Sequence, residues 1–406
     1  MRLSARFEEP RETWSHALHR RALEGMTNHD LGHLLELFRS MGPYYSERLS
    51  GVTSWQDIPP LEKEDIGRID LQRREGEQVF EFSTSGTSGI RVTVANTAEE
   101  QLYRRTLIYR PFGFYDLPAE TRQVSFVDET IDGIVVPRED VIDCDRHYAR
   151  WKVSARATPE EQLEVLRRLK PHLLAGFPSA LIRLVETVGN AVRQCGVHIV
   201  TPGGEFIPDD WRRSLVDAFE VPVYDRYGAT ESGSLAWECP RCGSYHANAD
   251  ETVIEPDAGS LLVTPLFLTL QPLLRYRLDD RVAWMQNASG SCDIQLPSIK
   301  IYEARRDDWL YDGLNRKVSP VAFQFHAIDG LVAWKVWQAP DGTVTIFADW
   351  RGGLTLAAQE SLKREGEQVI PGRLIVVQEN TKRCPATGKF KRVVCNYETP
   401  CVLDRK

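Results

Sequence analysis

Four short segments of this 406-residue chain hold residue types and spacings that could do chemistry. The first is Ser83-Thr84-Ser85-Gly86-Thr87-Ser88-Gly89, a run of hydroxyls and glycines. Glycine lets a backbone approach a phosphate closely, and the hydroxyls and amides can then donate to its oxygens. The run does not match the G-x-x-x-x-G-K-S/T phosphate loop, and it reads equally as a polar hairpin turn. The second is Tyr227-Gly228-Ala229-Thr230-Glu231. An aromatic can stack on a base, a hydroxyl can bond a phosphate, and a carboxylate can hold magnesium. A capped loop beside a core tyrosine reads the same way. In the third, Pro385-Ala386-Thr387-Gly388-Lys389-Phe390-Lys391-Arg392, Lys389 follows a glycine turn and could neutralise charge developing in a transition state. A solvated basic hairpin is the plainer alternative. The fourth is Cys239-Pro240-Arg241-Cys242-Gly243-Ser244-Tyr245-His246, where C-x2-C matches half a zinc knuckle and His246 lies one short loop away. Three ligands need a fourth to close a structural site; the alternative is two free thiols on a turn.

The elements that must position these segments follow from periodicity and punctuation. Residues 12–50 read as helix, from near-helical spacing of Leu31, Leu34, Leu35 and Leu37. Val79-Phe80-Glu81-Phe82 and Arg91-Val92-Thr93-Val94 read as strands on either side of the Ser/Gly run. Residues 159–195 read as helical with a break near Gly176-Phe177-Pro178-Ser179, where Ser179 would cap the next helix. His198-Ile199-Val200-Thr201 reads as a strand ending in Pro202-Gly203-Gly204-Glu205, then a helix over 208–219, then a strand at Val221-Pro222-Val223-Tyr224. This rhythm of strand, glycine loop and helix is an α/β one, in which loops at strand ends line the ligand crevice. Strands are expected at 252–255, 260–264, 281–285 and 373–378, a hairpin over 331–350 around Pro340-Asp341-Gly342, and a helix over 354–367. The last hundred residues carry their own βαβ-type pattern, with a boundary near Arg305-Arg306-Asp307-Asp308 and with Trp334, Trp337 and Trp350 as core.

Composition narrows the classes. With 42% hydrophobic, 27% charged and 9% aromatic residues, the chain is an ordinary globular protein of two or three domains. The formal charge of −8 supplies no basic surplus for nucleic acid or an anionic membrane. No apolar run is long enough to span a bilayer, and the first ten residues lack an apolar signal core. A cytoplasmic location is the expectation. The eight cysteines are too sparse for a disulfide framework.

The order of the motifs resembles the adenylate-forming superfamily of acyl-CoA synthetases, peptide-synthetase adenylation domains and luciferases, with the phenylacetate–CoA ligase branch most similar. The resemblance spans about residues 75–394. Residues 84–89 match the family's phosphate loop, Gly203-Gly204-Glu205 its adenine-side strand end, and Tyr227 to Glu231 its Y-G-x-T-E motif. Tyr276-Arg277-Leu278-Asp279-Asp280 resembles Y-R-T-G-D, whose last aspartate binds ribose. Arg305-Arg306-Asp307-Asp308 resembles G-R-x-D-D, which holds the ribose-contacting arginine and the interdomain hinge. Gly388-Lys389 matches the G-K of the adenylation lysine. The chain departs from the pattern at Ile90-Arg91, Asp279 and Ala304, and the acyl-pocket segment H-Y-G-A-E is replaced by a stretch over 126–133.

The resemblance implies an α/β (α+β) fold: a large N-terminal domain of β-sheets flanked by helices over 1–304, with a zinc-binding insertion near 239–246, and a small mobile C-terminal α/β domain over 305–406. It implies an AMP-forming ligase that activates a small carboxylic acid with ATP and Mg2+ and passes the acyl group to a thiol, coenzyme A. The aromatic class of acid is expected from the branch. Ser83, Thr84, Ser85, Gly86, Thr87, Ser88 and Gly89 would hold the β- and γ-phosphates; Gly203, Gly204, Glu205, Tyr227 and Gly228 would line the nucleotide. Thr230 would bond the α-phosphate, Glu231 would hold Mg2+, Asp280 and Arg305 would fix the ribose, Lys389 would be catalytic, and Asp307 would be the hinge. Cys292 lies where related ligases carry a cysteine-rich loop, making it the candidate fourth ligand of a structural Zn2+ with Cys239, Cys242 and His246. The rival expectations are delivery to an amine or carrier protein, and a zinc-containing binding module without catalysis. Partners are expected to exclude nucleic acid and membrane, with the chain a monomer or homodimer.

Overall fold

In the computed structural model the chain divides into two compact units, Met1–Phe82 with Val94–Ala304, and Ser83–Thr93 with Arg305–Lys406. The structure describes residues 28–73, 75–83, 92–127, 133–143, 146–257, 260–278, 280–285, 292, 294, 296–303, 309–318, 322–323, 325, 328, 331–350, 353–381 and 393–397. The segment 84–89, Arg305, Asp307 and Lys389 therefore lie outside the described residues.

The first unit opens with α1 (Asn28–Ser40), α2 (Pro43–Arg48) and a 3-10 helix, Lys63–Arg68. Strands β1 (Val79–Ser83) and β2 (Thr93–Thr97) form a two-stranded ribbon, and α3 (Ala98–Tyr109) follows. A capping box fixes the start of α3: Thr97 Oγ1 accepts from the Glu100 amide at 3.1 Å, and Glu100 Oε2 accepts from the Thr97 amide at 2.8 Å. Glu100 Oε1 also accepts from Thr269 Oγ1 at 3.0 Å and the Leu270 amide at 2.8 Å, which fixes the helix to a distant segment.

Next come β3 (Glu120–Val127), β4 (Glu139–Asp143), β5 (Arg146–Ser154), α4 (Pro159–Leu169), β6 (Leu173–Gly176), α5 (Pro178–Val188), β7 (Ile199–Pro202) and α6 (Asp209–Phe219). The strands make one sheet in the order β4-β5-β3-β6-β7, parallel except for the antiparallel edge strand β4. All four residues of β6 are buried. A continuous apolar run is what an interior parallel strand requires, because both of its faces are covered. That is why the helix expected over 159–195 breaks into helix, strand, helix: period-2 alternation is absent from Leu173-Leu174-Ala175-Gly176. Tyr109, Phe112 and Tyr148 pack together, with ring centroids 4.9–5.9 Å apart and Tyr109 edge-on to the other two rings.

Strands β8 (Arg226–Ala229), β9 (Gly233–Glu238), β10 (Tyr245–Ala247), β11 (Thr252–Asp257), β12 (Ser260–Pro265), β13 (Tyr276–Leu278), β14 (Arg281–Trp284) and β15 (Ser298–Glu303) complete the first unit. They build an antiparallel sheet, β14-β15-β10-β9-β8, and a three-stranded one, β11-β12-β13. The strand expected at 221–224 is reduced to one isolated parallel bridge, Val200↔Val223; the ladder proper starts at Arg226.

The second unit contains a two-stranded ribbon, β16 (Leu310–Tyr311) with β17 (Lys317–Val318), and β18 (Leu331–Gln338), β19 (Val344–Trp350), α7 (Leu356–Val369), β20 (Ile375–Glu379) and β21 (Val393–Cys395). Its sheet runs β20-β19-β18-β21, and α7 buries Leu362 against Ile346, Ile375 and Val377. Trp334 is buried in this core and Trp350 packs on its margin. Trp337 is half-buried and donates its Nε1–H to Asn396 Oδ1 at 2.6 Å. Among the described residues no helix is long and apolar enough to cross a membrane.

Candidate functional site

The loops after β6, β7 and β8 meet at one end of the parallel sheet. Gly203 bonds Gly176 O through its amide at 3.1 Å and forms a parallel bridge with Arg226 on its other side. This pairing lays Gly203-Gly204-Glu205 alongside the start of the Tyr227 segment. A Cβ on Gly203 would stand 3.2 Å from Arg226 O. Gly204 has φ +83°, and a Cβ there would meet the Phe177 ring at 3.0 Å, so both the turn and the close approach favour glycine. Glu205 is buried and turns inward. Its carboxylate accepts from the Ser179 amide at 2.9 Å and Ser179 Oγ at 2.8 Å. Ser179 therefore does not cap α5; Phe177 holds the N-cap position with Pro178 in the first turn, and the serine serves Glu205.

Tyr227 is buried and donates its phenol hydrogen to Asp280 Oδ2 at 2.6 Å, joining two sequence-distant motifs directly. The register of β8 on β9 shifts between Tyr227 and Gly228. A Cβ on Gly228 would lie 2.4 Å from Gly233 O, so this irregularity admits only glycine without rearrangement. The following turn presents Thr230 to solvent and buries Glu231.

Two cations hold that turn. Arg104 of α3 donates to Glu231 O at 3.1 Å through Nη1 and to Thr230 O through Nη2. Burial pulls the Arg104 guanidinium down to about 10, leaving it charged at neutral pH. Lys63 Nζ, at the start of the 3-10 helix, lies 3.3 Å from Glu231 Oε1. Side-chain exposure in this ion pair is only 12% for Lys63 and 7% for Glu231. Tyr276 Oη donates to the same carboxylate oxygen at 2.9 Å. Sequence reading missed Lys63 and Arg104 because Glu62-Lys63-Glu64-Asp65 and Tyr103-Arg104-Arg105 look like ordinary solvated surface. The available signal for Tyr276 was its place in the Tyr276-Arg277-Leu278-Asp279-Asp280 motif.

The cysteine cluster lies on the second sheet. Sγ of Cys239, Cys242 and Cys292 and a ring nitrogen of His246 all fall within 4.8 Å of one another. The Cys239–Cys292 sulfur separation is 3.7 Å, far beyond a disulfide bond. Cys242 Sγ and Cys292 Sγ lie 3.6 and 3.4 Å from His246 Nε2. A tetrahedral zinc with bonds of about 2.3 Å to sulfur and about 2.05 Å to nitrogen has edges of about 3.8 Å (S–S) and about 3.6 Å (S–N). The observed separations match that cage. His246 Nδ1 faces Leu296 O at 3.0 Å, which orients Nε2 toward the sulfurs, and burial lowers its pKa so that the ring is neutral. The Arg241 amide donates to Cys239 Sγ at 3.4 Å, and Gly243 N–H to Cys239 O at 2.9 Å closes the turn.

Just before the Tyr227 strand, buried Asp225 meets half-buried Glu238. Asp225 accepts from Tyr245 Oη at 2.6 Å and from the Arg226 amide at 2.8 Å. Burial pushes its carboxyl up to about 7. Glu238 Oε2 accepts from the Asp225 amide at 2.9 Å and from Arg212 Nη1 at 2.7 Å.

No protein-family model matches the chain. Protein CapK of Staphylococcus aureus is 22% identical over 294 residues, covering 66% of this chain; the match spans 64% of that protein, just under two thirds of its length. Among solved structures, 2-hydroxyisobutyryl-CoA ligase with 2-HIB-AMP and CoA in the thioesterification state superposes with a TM-score of 0.62 at 15% identity, over 97% of this chain and 94% of the other. The same ligase in an open conformation gives 0.55 at 14%, over 89% and 90%. At such identities the likeness is one of fold.

Proposed function

We propose that this chain, which has the fold of the AMP-forming acyl-CoA ligases, activates a small carboxylic acid with ATP and transfers the acyl group to a thiol. A carboxylate oxygen would attack the α-phosphorus of ATP, pyrophosphate would leave, and the mixed anhydride would then give a thioester and AMP. A carboxylate is a poor electrophile because its leaving group would be oxide; AMP is a good one. Most of the catalytic demand is therefore positioning and charge neutralisation.

The observation that carries the reading is the Tyr227–Asp280 bond beside the Gly203–Gly204 strand end. It joins a tyrosine to a carboxylate suited to ribose, beside two glycines that Arg226 and the Phe177 ring approach, at the end of a parallel sheet, where α/β folds bind ligands. In this reading Gly203, Gly204, Glu205, Tyr227 and Gly228 line the adenosine, and Asp280 and Arg305 hold the ribose. Ser83, Thr84, Ser85, Gly86, Thr87, Ser88 and Gly89 cradle the β- and γ-phosphates. Exposed Thr230 bonds the α-phosphate. Glu231, whose Oε1 is engaged by Lys63 and Tyr276, would offer its other carboxylate oxygen to Mg2+, an ion typically held by one or two carboxylates together with substrate phosphates; bound there it would offset phosphate charge. Lys389 neutralises the α-phosphate during attack, and Asp307 is the pivot between the two units. Zn2+ held by Cys239, Cys242, His246 and Cys292 would be structural: all four positions of the tetrahedron are filled by protein, leaving none for substrate. The phenylacetate–CoA ligase branch and an aromatic acid remain the preferred substrate reading, with coenzyme A as acceptor.

The test is product analysis. The protein is incubated with ATP, Mg2+, coenzyme A and a panel of aryl and alkyl acids, and AMP and acyl-CoA are followed by mass spectrometry. AMP with acyl-CoA from at least one acid supports the whole reading. AMP release that needs an amine or a carrier protein instead of coenzyme A replaces the transfer half. No AMP from any acid overturns it.

A further inference from the structure

The two residues that flank the cysteine cage also grip the root of the Tyr227 strand. Glu238 immediately precedes Cys239, and Tyr245 immediately precedes His246. They face one another across the β9–β10 ladder. Both reach Asp225, which precedes β8. Tyr245 Oη donates to Asp225 Oδ2 at 2.6 Å, and Glu238 Oε2 accepts from the Asp225 amide at 2.9 Å. The Glu238 amide donates to Asp225 O at 2.9 Å, so this residue is held through its amide, its carbonyl and its carboxylate. Two positions further along lies Tyr227, bonded to Asp280.

We propose that Tyr245 and Glu238 are positioning residues that couple the metal cage to the nucleotide site. The inference rests on the nucleotide and zinc reading above and deepens it. Closing four ligands around one ion fixes the turn from Cys239 to His246 at both ends. Those ends carry the Glu238 and Tyr245 side chains, so the cage sets the geometry of the Asp225 clasp. Asp225 in turn sets where Tyr227 presents its ring and its bond to Asp280. With the metal removed, the turn gains freedom, the clasp loosens, and the strand that would line the nucleotide is no longer held. No group in the clasp touches substrate; its effect runs entirely through the placement of β8. The proposed metal therefore contributes to ligand affinity at a distance, and by reciprocity nucleotide binding tightens the hold on the metal.

The experiment is a two-by-two comparison on the full chain: wild type and Tyr245→Phe, each metal-loaded and each after chelation. The reported quantities are the dissociation constant for AMP by calorimetry, zinc content, and amide hydrogen exchange over residues 225–229. Phenylalanine keeps the ring and removes only the hydroxyl, and Tyr245 is not a ligand, so the variant should keep about one zinc. Metal-loaded Tyr245→Phe is expected to bind AMP about fivefold or more weakly than wild type, within the usual range of coupling between sites, and to exchange faster over 225–229. Chelation of wild type should weaken binding by a comparable factor. Chelation of the variant should add less than twofold, because both perturbations act through the same clasp. The proposal is overturned if metal-loaded Tyr245→Phe binds AMP and exchanges as wild type does, or if the two effects multiply in full. Should wild type fail to bind AMP while exchange over 225–229 still rises in Tyr245→Phe, the nucleotide reading falls and the clasp stands.

Discussion

Replacing Lys63 with methionine, Glu231 with glutamine, and then both together tests whether the site carboxylate is held by a built-in cation. The ammonium and the carboxylate are 3.3 Å apart and both are largely buried. At an effective dielectric of about 20, their attraction is about 5 kcal/mol. Desolvation of the two ions offsets much of that, so the net worth of the pair is small, whereas removing one partner strands the other. Each single substitution should therefore destabilise by about 3 kcal/mol. Glutamine can still accept from Tyr276 Oη, whose bond to Glu231 is 2.9 Å, so loss in Glu231→Gln reports mainly on the stranded Lys63. The double variant strands neither charge and should end within about 1 kcal/mol of wild type, giving a coupling energy of about 5 kcal/mol, the size of the direct attraction. Urea unfolding followed by tryptophan fluorescence supplies the four stabilities. If the double variant loses as much as the two singles added together, Lys63 is not the partner of Glu231 and the electrostatic account of this turn is wrong.

Gly228→Ala should destabilise by about 1–3 kcal/mol, because its Cβ would sit 2.4 Å from Gly233 O; a melting temperature equal to wild type would mean the β8–β9 irregularity relaxes freely. Burial pushes the Glu251 carboxyl up from 4.5 to about 7, so the stability it lends is fully present below about pH 4.5 and is lost as pH rises through about 7. Glu251→Gln keeps an acceptor for Tyr103 Oη, and its melting temperature should rise relative to wild type as pH goes from 4.5 to 7.5; a constant difference would contradict the shift. Elemental analysis should find about one zinc per chain, and Cys239→Ser should lose zinc and thermal stability together. A protein that purifies metal-free and melts unchanged after chelation would exclude the site.

The reach of sequence reading follows from how local each signal is. Cys239, Cys242 and His246 lie within one hairpin, so spacing alone raised them. Cys292 is brought to them only by the β10–β15 pairing, and a family resemblance was needed to nominate it. Strands β11, β12 and β14 were legible in the sequence, but β6 was hidden because a fully covered strand carries no alternation. Ser179 looked like a helix cap, since a serine beside a proline break usually is one. Its hydroxyl instead serves Glu205, through a contact that no local pattern encodes. Lys63 was invisible for the same reason. Nothing in Glu62-Lys63-Glu64-Asp65 distinguishes an exposed lysine from one that the 3-10 helix turns toward a carboxylate far along the chain.

The central claim is that a carboxylic acid attacks the α-phosphate of ATP on this chain, and ATP–pyrophosphate exchange reads that step alone. Labelled pyrophosphate should enter ATP only when a suitable acid is present, with no need for a thiol. Lys389→Ala should slow the exchange by about 10²–10³, the usual loss for removing one contact to developing transition-state charge. Exchange driven by no acid in a broad aryl and alkyl panel would contradict the account.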